Sequence, residues 1–123
     1  MGKRFLRIAA VYFGVAVVLG MTMGIMQKFE LASVHAHLNL LGWVSMALFG
    51  LIYHFYPQAG ETKLAKVHFW IHNLAMPIFQ VGLAMEIVSG GKLAFIVPIV
   101  IIASLITVIG ILCFMVNILC KVK

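Results

Sequence analysis

Four long apolar stretches divide the chain, over residues 5–26, 31–56, 64–88 and 93–119. Each is long enough to cross a bilayer, because about 20 apolar residues in a helix span a hydrocarbon core of about 30 Å. In lipid no water satisfies the backbone, so N–H and C=O groups must pair within their own segment. The stretches are therefore predicted as helices. The connections at 27–30, 57–63 and 89–92 leave no room for an extramembrane domain. Short connections make successive helices antiparallel neighbours. The pattern predicts one domain over residues 1–123, an all-α, integral membrane four-helix bundle.

Two backbone features stand out within these runs. Gly20 and Gly24 form a small-xxx-small pair that predicts close approach of another helix to the first. Pro77 is expected to kink the third helix, and Pro98 falls in the first two turns of the fourth.

Composition supports the membrane reading. Hydrophobic residues make up 64% of the chain and charged residues 10%. A domain this small buries roughly two-thirds of its surface, so the apolar excess must face something other than water. The net charge of +6 does not point to nucleic acid, because the charges cluster at the ends of apolar runs rather than along one face. Lys3, Arg4, Arg7, Lys63, Lys66, Lys121 and Lys123 fall on one predicted side, against Lys28 and Lys92 on the other. Basic residues favour the cytoplasmic side, so both termini are expected there. The expected location is a bacterial inner (cytoplasmic) membrane. The first run is long enough to span and is expected to stay rather than be cleaved. Cys113 and Cys120 share a helix face seven residues apart, too far for a disulfide within the chain.

Candidate chemistry lies with histidine. The chain has five, and at least four fall in predicted spans. Ionisable groups are costly there and point to function. Helix direction sorts them by depth. His35 and His37 lie near the outer surface; His54, His68 and His72 lie toward the inner side. His35 and His37, two residues apart, project about 200° apart on a helix. They cannot chelate one metal, but each could ligate a separate group. Neutral imidazole suits heme iron. His68 and His72 share a face at i, i+4, a spacing that can bind zinc or copper. The competing reading of His68 and His54 is an interfacial polar residue. Asn73 could support the His72 ring by a hydrogen bond.

By helix rise, His37 and His72 differ in depth by roughly 15 Å, so one heme bridging them within a protomer is not expected. A second ligand is left to another protomer, a methionine, water, or none. Met21, Met23 and Met26 gather at the outer end of the first helix, with Met85 at similar depth. Thioethers can bind Cu(I) or heme iron, though methionine in apolar helices more often only packs. Glu86 stands away from basic neighbours, either as a proton or metal site or as a residue reaching the interface.

The stretch His35-Ala36-His37-Leu38-Asn39-Leu40-Leu41-Gly42-Trp43, running on to Tyr53, resembles the tenth helix of heme-copper oxidase subunit I. The nitric oxide reductase and related oxidase branches look closest. Lys66-Val67-His68-Phe69-Trp70 resembles the start of the helix that follows. The likeness covers helices two and three. It implies that His35 ligates a high-spin heme and His37 a low-spin heme. The helices that carry copper or non-heme iron ligands in that family have no counterpart here, nor does the helix supplying the other low-spin ligand. Oxygen or nitric oxide reduction by this chain alone is therefore not expected.

The leading expectation is a heme-b-binding membrane protein for electron transfer, gas or heme sensing, or heme handling. Its cofactor ligands would come from His35, His37 and His72, and its partners would be the bilayer, a homo-oligomer and a respiratory electron-transfer protein. The alternatives are a copper-handling protein, whose outer methionine and histidine groups would pass Cu(I) or another metal to an oxidase, and a structural or assembly factor for a respiratory oxidase.

Overall fold

In a computed structural model, which describes residues 1–122, four helices are long and apolar enough to cross a membrane. They are α1 (Gly2–Met26), α2 (Ala32–Phe55), α3 (Lys63–Ser89) and α4 (Ile96–Lys121). No strand occurs among the described residues. The predicted all-α bundle of four spans is what forms. Lys123 lies outside the described residues.

Local chemistry sets the ends. Thr62 caps α3 by accepting the Ala65 N–H at 3.0 Å, which satisfies a backbone donor left free at a helix start. Gly90, at φ 62°, ends the same helix in a left-handed conformation suited to glycine. Between α2 and α3 the chain makes one helical turn, Pro57–Gly60. Pro77 stands inside α3, which runs unbroken from Lys63 to Ser89.

The helices associate as two antiparallel pairs, α1 with α2 and α3 with α4, and the pairs meet along a thinner seam. Small residues bring α1 and α2 together. Cβ atoms added at Gly50 and Gly42 would lie 2.9 Å from the Gly2 carbonyl oxygen and 2.6 Å from Tyr12 Cδ1, respectively. Of the expected small-residue pair, Gly20 does admit a neighbour, the His35 ring, whereas Gly24 has nothing within 4 Å.

Large apolar side chains such as Val11, Ile25, Leu74, Ile102 and Leu119 remain exposed around the bundle. They are the surface that lipid covers. At one end, Met1 and Gly2 approach His54 and Gly60 around a cavity of about 420 Å³. Asn117, near the end of α4, reaches the same end. Its Nδ2 donates to the Ala59 carbonyl at 2.8 Å, and its Oδ1 accepts from the Thr62 hydroxyl at 2.8 Å. The N-terminus, the C-terminal end of α4 and the α2–α3 connection, with most of the described basic residues, are thus gathered at one end.

The α1–α2 crossing gives a direct test. Gly50→Val forces a side chain into the Gly2 backbone and is expected to destabilise the micelle-solubilised protein by about 1–3 kcal/mol. Gly24→Ala meets open space and is expected to be near neutral. Equal unfolding curves for the two variants would show that close backbone approach does not hold this pair.

Candidate functional site: imidazoles tied to carbonyls along the seam

The histidines are positioned by α2 and α3, and α2 is not uniform. Residues Leu38–Val44 wind as a π-helix between two α-helical stretches. Such wide turns are rare and often sit at functional positions, because they disturb the regular carbonyl ladder. His35 and His37 precede this stretch, in the α-helical part Ala32–His37. Their angular separation is therefore that of an ordinary helix.

They meet different neighbours. The His35 ring lies against α1. Its Nδ1 is 2.9 Å from the Ala16 carbonyl oxygen, and Gly20 leaves space for its edge. A carbonyl only accepts, so this nitrogen carries the proton. The Nε2 of His35 stands 3.4 Å from the Asn39 amide nitrogen, which also donates to the His35 carbonyl at 3.0 Å. The His37 ring turns toward α3, edge-on to Phe79 at 5.3 Å between centroids. Its Nδ1 donates to the Ser33 carbonyl at 2.7 Å. His37 is only half-buried, and its Nε2 has no hydrogen-bond partner. A backbone carbonyl on one ring nitrogen fixes the tautomer and leaves the lone pair on the other. His37 thus presents an oriented, accessible nitrogen donor.

Further along the seam, His72 crosses from α3 to α2. Its Nε2 donates to the Leu41 carbonyl, inside the π stretch, at 3.1 Å. This places the lone pair of His72 on Nδ1, which is buried and unpartnered. His68 lies one turn earlier on α3, its ring centroid 5.7 Å from that of His72. Its Nδ1 is 3.0 Å from the Tyr53 hydroxyl, and its Nε2 is buried without a partner. Both residues have no solvent exposure. His54 is exposed at the basic end, beside the Met1–Gly2 cavity.

His37 meets α3 at Phe79, seven residues along from His72, or about 10 Å of helix rise. The two imidazoles thus lie at different depths, closer than the roughly 15 Å that helix rise gives from the sequence. Asn73, expected to support His72, instead donates to the Phe69 carbonyl at 2.7 Å. Adjacent helical residues project about 100° apart, so the Asn73 side chain faces away from the His72 ring and bonds to its own helix.

The outer methionines separate. Met23 and Met26 line a cavity of about 300 Å³ with Lys28 and Glu30, while Met21 faces outward. Glu86 is half-buried, with one carboxylate oxygen lacking a partner. Among the described residues no group of three or more His, Cys, Asp or Glu forms a metal-binding cluster.

Three polar residues of the interior carry no sequence motif. Tyr53 is read from the sequence only as the end of a resemblance, yet its hydroxyl joins α2 to α3. Gln80 is buried in α3, its Nε2 reaching the Met76 sulfur at 3.8 Å and its Oε1 unpartnered. Asn117 ties α4 to the α2–α3 connection. An amide in an apolar run was the available signal, since a buried polar group in lipid needs a partner.

The fold defines a polytopic membrane protein with histidines at its helix contacts. The chain matches no protein-family model, no curated protein and no solved structure.

Tyr53→Phe isolates the α2–α3 bond. Loss of the hydroxyl leaves His68 Nδ1 unpaired, and an expected loss of about 1–2 kcal/mol should lower the unfolding midpoint in detergent. Tyr56→Phe, at an exposed position, serves as the control and should change nothing measurable. A neutral Tyr53→Phe would remove the bond from any role in stability.

Proposed function

We propose that this chain is a heme-b-binding protein of the cytoplasmic membrane, built like a fragment of heme-copper oxidase subunit I. The observation that carries this reading is His37: Nδ1 tied to a backbone carbonyl, Nε2 free and reachable from the flank of the protomer. Heme-ligating imidazoles need that division of labour, since the tied nitrogen sets ring orientation and basicity. His35 is the second ligand in this proposal. Its Nδ1 is held by Ala16 in the same manner, and it would release Asn39 from Nε2 on binding iron. His72, held by Leu41 within the π stretch, takes a supporting place.

The residues fit heme at His37 better than at His35. A porphyrin on His37 would lie at the protomer's outer flank beside Phe79. The larger cavities of about 430 and 420 Å³ are lined by other residues. Covering the exposed porphyrin face then calls for a second copy of the chain or a respiratory partner, and a homo-oligomer is part of the proposal. Heme supplies one-electron chemistry and an axial site for small gases. The protein's share is to orient the imidazole, exclude water and set the potential. Both termini are assigned to the cytoplasm on the distribution of basic residues.

Protein expressed in heme-replete cells and purified in mild detergent is expected to show a Soret band that shifts on dithionite reduction. Pyridine hemochrome analysis is expected to give b-type heme. His37→Ala should abolish or shift that band. Carbon monoxide would then divide the uses: no shift means two protein ligands and electron transfer, and a shift means an open site for sensing or delivery. A wild-type spectrum in both His35→Ala and His37→Ala would defeat the ligand assignment. A protein with no porphyrin would defeat the proposal.

A further inference from the structure

We infer that His68 and His72 form a second, separate site, one that holds a single soft monovalent metal ion of the Cu(I) class between α2 and α3. The pair occupies one face of α3 at i, i+4, with ring centroids 5.7 Å apart. Each ring is anchored through one nitrogen, His68 by the Tyr53 hydroxyl at 3.0 Å and His72 by the Leu41 carbonyl at 3.1 Å. The other nitrogen of each, Nε2 of His68 and Nδ1 of His72, is buried with no partner. Leaving a polar atom so costs about 1–3 kcal/mol, which two apolar residues would avoid. Two such atoms on neighbouring, fully buried rings are accounted for together by one shared ion.

Chemistry selects the kind of ion. His72 must carry its proton on Nε2, because Leu41 offers only a carbonyl, so Nδ1 is a lone-pair donor. His68 becomes one at Nε2 when Nδ1–H donates to the Tyr53 oxygen. The site then offers two neutral nitrogens and no carboxylate or thiolate. A divalent zinc ion asks for about four ligands, and burying its double charge among apolar groups without anions is prohibitive. A monovalent d10 ion accepts two neutral donors and carries half the charge. Apolar rings wall the pair: Phe5 stacks on His68 at 5.2 Å, and the Phe49 ring stands near-perpendicular to both imidazoles, at 4.5 and 5.4 Å. Tyr53, the partner of His68, also lines the cavity at the basic end, together with Met1, His54 and Glu61.

This site does not depend on heme, and its test is separable. The full chain in detergent is incubated anaerobically with Cu(I) buffered by bicinchoninate, then desalted and assayed for metal. One copper per chain is expected in the wild type and in His37→Ala. His72→Leu and His68→Leu are each expected to lower retained copper to the background of a protein-free control. Because either leucine variant could misfold, ¹⁵N-histidine spectra of wild-type protein titrated with Ag(I) supply a second readout. Two of the five imidazoles should shift, and they should saturate at one silver per chain. No copper retention in a folded wild type, or silver shifts confined to His35, His37 or His54, would overturn the inference. Porphyrin binding would be unaffected by that result. Copper uptake without porphyrin would retain this site and remove the heme proposal.

Discussion

A buried polar group in this bundle is costly unless it finds a partner within the protein, because the apolar surface around it faces hydrocarbon. The imidazole-to-carbonyl bonds follow from that constraint. His35 to Ala16 joins α2 to α1, and His72 to Leu41 joins α3 to α2. His37 to Ser33 uses the same bond within one helix. In each case the carbonyl takes the N–H, so the opposite nitrogen is left as a base. One bond thus does two things: it orients a ring and fixes which of its nitrogens keeps a lone pair. The π turn of α2 belongs to the same arrangement, since it carries the carbonyl that His72 uses.

The molecule is polarised along its axis. One end gathers the N-terminus, the C-terminal end of α4, the α2–α3 connection, Asn117 and Thr62, held by short hydrogen bonds. The other end carries the paired His35 and His37. Between them lies the buried cluster of Tyr53, His68 and His72. Close-set small residues and aromatic pairs such as Phe5–Phe49 and Phe13–Trp43 hold α1 to α2, whereas the seam between the two helix pairs carries most of the histidine contacts.

Much of the fold was legible in the sequence because bilayer thickness fixes the length of an apolar run. The spans at 5–26, 31–56, 64–88 and 93–119 differ from the helices by a few residues at each end. The divergence of His35 and His37 was legible for a similar reason, as helix geometry fixes the angle between i and i+2. The π stretch was not, since one wider turn changes neither the length nor the composition of an apolar run. Tyr53, Gln80 and Asn117 were equally hidden. Their roles depend on which carbonyl or ring lies across a helix contact, and spacing within one helix carries no such information. Asn73 shows the converse: its place beside His72 suggested support for that ring, but the side chain bonds to its own helix. The likeness to an oxidase helix, carried by His35-Ala36-His37 and its flanks, bears on cofactor choice and remains the basis of a proposal.

The central claim is a tautomer pattern, and ¹⁵N NMR of histidine-labelled protein in lipid reads it directly before any cofactor is added. The hydrogen bonds predict the proton on Nδ1 for His35 and His37, and on Nε2 for His72. A proton on Nε2 of His37, leaving no lone pair where iron would bind, would contradict it.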